Sequence, residues 1–129
     1  MTGKKPRSIL LVEDDESARE ILASVLAMKF PKIDVHFADN GRTGLERFKK
    51  YSPAIIITDI SMPLVSGISM AREIKSIDAG VKFIAISAYS YDSIQELSAV
   101  MGVEFDHFIL KPVDNSKLFA AIEQCLAGQ

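Results

Sequence analysis

One cysteine, Cys125, stands alone in the chain of 129 residues, so no disulfide can close within it. It lies among Leu118, Phe119, Ile122 and Leu126 at helical spacing and reads as a small core hydrophobe. His36 and His107 are far apart in sequence and have no cysteine or second histidine at ligand spacing, which excludes a histidine- or thiolate-held metal. Positive charge is not in excess either: the formal net charge is -2, whereas a domain that holds nucleic acid directly needs a basic face. The one basic cluster, Lys4, Lys5 and Arg7, reads as a solvated amino-terminal tail. No apolar stretch approaches the roughly 18 residues of a membrane span, and no signal-peptide core follows Met1. The expectation is a cytoplasmic protein that contacts neither membrane nor nucleic acid.

What the chain does have is a hydrophobic content of 48%, enough for one real core at this length. Residues 1–7 are expected to be tail and residues 8–127 the domain. Strand-like apolar runs occur at Ile9 to Val12, Ile33 to Ala38, Ala54 to Thr58, Val81 to Ser87 and Phe105 to Leu110. Helical patterns separate them, carried by Ile21, Leu22, Val25 and Leu26, by Leu45 and Phe48, by Ile68, Met70, Ile74 and Ile77, by Ile94, Leu97 and Val100, and by Leu118 to Leu126. Ser17 to Glu20 and Ser93 to Glu96 have capping-box spacing, Asn40 and Asp114 are candidate N-caps, and Gly80 and Gly102 stand where a glycine ends a helix. Pro31 and Pro53 follow the first two helical patterns as stops. Strand and helix in alternation imply parallel strands with right-handed crossovers. The predicted fold is α/β, a flavodoxin-like (βα)5 doubly wound sheet of five parallel strands in the order 2-1-3-4-5.

In such a sheet ligands bind at the carboxyl ends of the strands, and the polar residues gather there. Asp59 closes the run Ala54 to Thr58, the acidic cluster Glu13 to Glu16 follows Ile9 to Val12, Ser87 ends the fourth run, and Lys111 follows the fifth. Asp59 can act as a nucleophile, and Glu13 with Asp14 can hold a hard divalent cation. Ser87 offers a hydroxyl to a phosphoryl oxygen, and Lys111 brings a compact positive charge. Together they are equipment for making an aspartyl phosphate.

With these residues in order the chain resembles the response-regulator receiver domains of two-component signalling. The resemblance rests on Glu13-Asp14, Asp59 with Met62-Pro63 and Gly67, Ser87-Ala88, Phe108, and Lys111-Pro112, and it extends over nearly the whole length. It implies Asp59 as phosphoacceptor and Mg²⁺ as cofactor, held by Asp14 directly, Glu13 through water, Asp59, and the backbone carbonyl of Ser61. Lys111-Pro112 resembles the family's cis peptide, which aims the lysine inward. Ser87 and Phe108 are the implied switch pair, the phenyl ring moving inward when Ser87 moves toward the phosphoryl group. Ser61 and Tyr89, each two positions past a site residue, are expected to tune hydrolysis of the phosphorylated state. The implied partners are a sensor histidine kinase or a phosphotransfer protein, and a downstream protein bound by the face of the fourth helix, fifth strand and fifth helix. That face lacks the paired acidic residues of receivers that dimerise through salt bridges, so a monomer or weak dimer is expected.

Two other classes compete. A haloacid dehalogenase-type phosphatase also uses a nucleophilic aspartate and Mg²⁺, but its Asp-x-Asp signature is not matched by Asp14-Asp15-Glu16. A flavodoxin-like electron carrier shares the strand order, yet Glu13 to Glu16 would repel the phosphate its first loop must cradle.

Overall fold

The computed structural model describes residues 7–60, 64–88, 92, 93, 95, 96, 99 and 102–127. The five apolar runs form strands β1 (Ser8–Val12), β2 (Asp34–Ala38), β3 (Ile55–Asp59), β4 (Lys82–Ser87) and β5 (His107–Leu110). All pair in parallel in the order β2-β1-β3-β4-β5, with Leu10 beside both His36 and Ile56. Every residue of β1 and β3 is buried, as strands covered on both faces require, and this is why their sequences are continuous apolar runs. At the edge, β2 is only partly covered.

Helices α1 (Glu16–Lys29), α2 (Gly41–Tyr51) and α3 (Leu64–Ile77) and the C-terminal helix (Asn115–Ala127) cover the sheet. Asp92, Ser93, Gln95, Glu96 and Ala99, between β4 and β5, are also helical. Side-chain alternation sorts the core into two layers. On one face Ile9, Leu11, Ile55, Ile57, Ile84 and Ile86 meet Leu22 and Leu26 of α1 and Leu118, Ile122 and Cys125 of the C-terminal helix. On the other, Leu10, Val12, Ile56, Phe83 and Ala85 meet Phe48 of α2 and Ile68, Met70 and Ile74 of α3. Each fully buried leucine or isoleucine contributes about 1.5–3 kcal/mol, so these rows fix the register of the strands and thereby the height at which each strand ends. Burial pushes the Cys125 thiol up to about 11, so it stays protonated within that core.

At three positions the helix ends differ from the expected caps. Helix α1 starts before Ser17: Asp15 is the N-cap, its carboxylate accepting from the Ala18 N–H at 3.0 Å. Aspartate caps about as well as serine, and Asp15, two residues upstream, starts the helix earlier and leaves Ser17 inside its first turn. Ser93 likewise follows Asp92, which is already helical, so Ser93 is not the cap of its segment. Gly80 does not take the left-handed conformation; its N–H instead closes a turn on the Asp78 carboxylate at 2.9 Å. That conformation is found at Gly102 (φ 73) and, without a glycine, at Ser52 (φ 47), the C-cap of α2 ahead of Pro53. Asn40 caps α2 through the Thr43 N–H at 2.8 Å. Asp114 accepts from the Ser116 N–H and hydroxyl at the start of the C-terminal helix. Its carboxyl is held below the usual range, first by the Ser116 hydroxyl and then by the Lys117 and Ser116 N–H groups.

Candidate functional site: an acidic crevice at the carboxyl edge

Because β1, β3 and β4 lie side by side, the residues ending them are brought to one edge. Asp59 is the last residue of β3 and only 3% exposed. The backbone carrying it continues straight on, with the Ile60 N–H donating to the Ile86 carbonyl at 2.9 Å. Gly67 lets α3 press on that segment: a Cβ there would lie 3.3 Å from Ile60 Cα. Glu13 extends β1 by one step, its N–H donating to the Ala38 carbonyl at 3.0 Å, and its side chain is 2% exposed. The Asp15 N–H donates to Glu13 Oε2 at 3.2 Å, so the residue that caps α1 also orients the carboxylate before it. Asp14, between them, is exposed.

Lys111 follows β5, its N–H donating to the Ser87 carbonyl at 2.8 Å, and the Lys111-Pro112 peptide is cis. Its Nζ donates to Asp59 Oδ2 and lies 3.6 Å from Glu13 Oε1. One ammonium therefore serves two buried carboxylates. Glu13, Asp14 and Asp59 each present an oxygen, all within 4.8 Å of one another, and no other candidate metal cluster occurs among the described residues. Burial, with the Asp59 charge adding to it, pushes the Glu13 carboxyl up to about 7 against the opposing Asp15 N–H and Lys111 ammonium. Burial works against the charge of Lys111 as well, but its hydrogen bond to Asp59 and the charges of Asp59 and Glu13 prevail and raise its pKa. Among the described residues the crevice thus holds more negative charge than the Lys111 ammonium neutralises, and the donors of the cluster are all oxygens, the set that suits a hard divalent cation.

Ser87 ends β4 fully buried, two strand ends from Glu13 and beside Asp59, whose register partner is Ile86. Phe108 lies in β5 opposite Ala85, partly buried against the core layer beneath α2 and α3 rather than among the carboxylates. It lines, with Leu110, Lys111, Pro112, Asp114 and Lys117, a surface cleft of about 410 Å³. Ser61 and Tyr89 lie outside the described residues. Two contributors were not marked by the sequence pattern. Asp15 acts through its backbone and cap, and Arg19 of α1 reaches back so that Nη1 donates to the Glu13 carbonyl at 3.0 Å. A capping aspartate is recognisable in principle, whereas a guanidinium that meets a backbone carbonyl six positions away carries no sequence signal.

Fold and crevice together define a doubly wound α/β domain with one buried, lysine-paired aspartate in a cation-competent acidic site. The chain belongs to the response regulator receiver domain family, whose model matches residues 9–123. It is similar to the chemotaxis protein CheY of Halobacterium salinarum, 32% identical over 122 residues that cover 95% of this chain and 98% of that protein. It is also similar to the solved response regulator receiver domain protein of Clostridium thermocellum (25% identity, TM-score 0.81, 94% of each chain covered). A third likeness is to a receiver domain in the co-crystal of the Saccharomyces cerevisiae histidine phosphotransfer signaling protein Ypd1 with its downstream response regulator Ssk1. That match has 24% identity and a TM-score of 0.71, covering 87% of this chain and 83% of that one. Receiver domains signal rather than catalyse turnover, and they generally bind Mg²⁺ at an acidic pocket. No helix among the described residues is long and apolar enough to cross a membrane.

Proposed function

We propose that the protein accepts a phosphoryl group on Asp59, with Mg²⁺ held by Asp14, Glu13, Asp59 and the Ser61 carbonyl, and passes the signal on by protein contact. The observation that carries this reading is the buried Asp59 carboxylate, bonded to Lys111 and sharing a 4.8 Å cluster with Glu13 and Asp14. An Asp59 carboxylate oxygen attacks the phosphorus of a phosphohistidine on a sensor kinase or phosphotransfer protein. The P–N bond breaks, its electron pair stays with the imidazole, which takes up a proton, and an acyl phosphate remains on Asp59. When bound, the cation offsets the charge of the carboxylates and of the incoming phosphoryl oxygens.

Lys111 would then turn from Asp59 Oδ2 to a phosphoryl oxygen, and the Ser87 hydroxyl would donate to another. Phe108 has no hydroxyl, so its part in the switch is steric: the ring moves toward the space that Ser87 leaves. The face made by the helical segment after β4, by β5 and by the C-terminal helix would receive the downstream protein, with the receiver a monomer or weak dimer. The Ypd1–Ssk1 co-crystal supports a phosphotransfer protein as the kind of partner. Incubation with acetyl phosphate and Mg²⁺, followed by intact mass, tests the reading. Wild type should gain one phosphoryl group, and Asp59→Asn or removal of Mg²⁺ by chelation should abolish the gain; uptake by Asp59→Asn at the wild-type level would overturn it.

A further inference from the structure

Arg19 is the residue of the carboxyl edge that phosphoacceptor chemistry leaves unused. Strand β2 ends at Ala38, which accepts from the Glu13 N–H, and the Glu13 carbonyl takes its hydrogen bond from the Arg19 guanidinium at 3.0 Å. The same arginine is bonded through its backbone N–H to the Asp15 carbonyl at 2.9 Å. The Arg19 side chain thus holds the loop on the Glu13 side of Asp14, the exposed carboxylate of the cluster, while the first backbone bond of α1 holds the Asp15 side. Asp15 closes the remaining play, with its N–H on the Glu13 carboxylate and its own carboxylate on the Ala18 N–H. Arg19 lines a cleft with Phe37, Ala38, Asp39, Thr43 and Arg47, where the Arg47 Nε donates to the Phe37 carbonyl at 3.4 Å.

We infer that Arg19 is a positioning residue for the divalent cation: it fixes the Glu13–Asp15 backbone so that the Glu13 and Asp14 carboxylates face Asp59. The inference rests on the cation site of the proposed function and adds to it a residue that touches neither cation nor phosphoryl group. Two roles of opposite sign are open to a guanidinium near a cation site. As a charge it repels the cation, and its removal strengthens binding. As a clamp it lowers the cost of ordering the ligands, and its removal weakens binding, as loss of outer hydrogen bonds does at other metal sites. The geometry points to the clamp, because Nη1 is spent on a carbonyl and no ion pair joins Arg19 to a carboxylate among the described residues.

Calorimetric titration of Mg²⁺ into the full chain decides between them, using wild type, Arg19→Met, which keeps most of the aliphatic stem, and Arg19→Lys, which keeps a donor. Arg19→Met should bind Mg²⁺ about tenfold more weakly, with a Mg²⁺-free melting temperature near wild type, and Arg19→Lys should recover most of the affinity. Amide exchange at Asp15 should be faster in Arg19→Met than in wild type. Equal or tighter Mg²⁺ binding by Arg19→Met overturns the clamp, as does a failure of Arg19→Met to fold while Arg19→Lys binds normally with no change in exchange at Asp15. Wild type that binds no Mg²⁺ removes the cation site itself, an outcome distinct from wild-type binding that is indifferent to Arg19.

Discussion

Asp59 and Asp106 stand at opposite ends of the same sheet and are held by different kinds of partner. At the amino end, Asp106 precedes β5 and accepts from the Phe83 N–H through its carboxylate at 2.7 Å, while its own N–H donates to the Phe83 carbonyl at 2.9 Å. Nearby, Lys75 takes the Glu104 carbonyl at 2.6 Å. The Asp106 side chain continues the ladder there, and its partner, the Phe83 N–H of β4, cannot move without opening the sheet. At the carboxyl end, Asp59 is held by the Nζ of Lys111, the tip of a flexible side chain that also serves Glu13. A partner of that kind can be exchanged for a cation or a phosphoryl oxygen at little cost to the fold. The same residue type is therefore mortar at one end and an exchangeable contact at the other.

The two ends differ most at Lys111. Lys111→Ala should leave two crowded, buried carboxylates without their cation and destabilise the metal-free protein at pH 8 by about 2–3 kcal/mol, the partial exposure of the lysine having been allowed for. Much of the loss should return near pH 5, where Glu13 takes up a proton, or on adding Mg²⁺. Urea midpoints at the two pH values measure it, and a loss independent of pH would reduce the lysine to a packing stem.

At Glu13 the effect has the opposite sign. Its folded pKa of about 7 lies above the ordinary 4.5, so folding favours the protonated form. The stability this contributes is full below pH 4.5 and is lost as pH rises through 7, because the folded state must then hold a charge it disfavours. Glu13→Gln removes that loss: it should be more stable than wild type by roughly 2 kcal/mol at pH 8, with the advantage fading toward pH 4.5, and it should bind Mg²⁺ more weakly. Denaturation across that pH range without metal is the test. An advantage that stays constant with pH would place the gain elsewhere.

At the amino end the effects should be smaller and blind to metal. Asp106→Ala deprives the Phe83 N–H of its acceptor and should cost about 1–2 kcal/mol, with Mg²⁺ binding and phosphoryl uptake unchanged. Reduced uptake in this variant, measured as fraction phosphorylated, would mean that the two ends are coupled through β4 and β5.

Much of this was legible in the sequence, for a physical reason. Strands buried on both faces must be written as unbroken apolar runs, so Ile9 to Val12 and Ala54 to Thr58 mark the central strands; alternation with helices implies a parallel sheet, and the order 2-1-3-4-5, one of the two common doubly wound orders, is the one found. A charged residue at the end of such a run has one place to go, which is why Glu13, Asp59 and Lys111 could be placed at one edge. What was missed depends on contacts between elements. The start of α1 shifted from Ser17 to Asp15 because Asp15 could serve the helix and the Glu13 carboxylate at once. Arg19 on the Glu13 carbonyl and Asp106 on Phe83 join side chain to backbone across loops, and no periodicity encodes them.

The smallest predicted effect is at Thr58, the residue before Asp59. Its side chain faces the opposite layer, in the row Val12, Thr58, Ala85 and Phe108 that crosses the sheet beneath the carboxyl edge. Thr58 is fully buried and its hydroxyl has no hydrogen-bond partner among the described residues, so it bears a desolvation penalty that its β-branched shape alone does not require. Thr58→Val keeps the shape and removes the penalty, and it should raise stability by about 0.5–1 kcal/mol with phosphoryl uptake at Asp59 unchanged. The two sides of β3 thus differ: the Asp59 side is unsettled by charge that the proposed chemistry uses, the Thr58 side by a polar atom that it does not touch. Should Thr58→Val lose stability instead, the hydroxyl has a partner such as a buried water. Should it gain stability yet weaken binding of the phosphorylated form to its partner, the hydroxyl belongs to the row through which Phe108 moves.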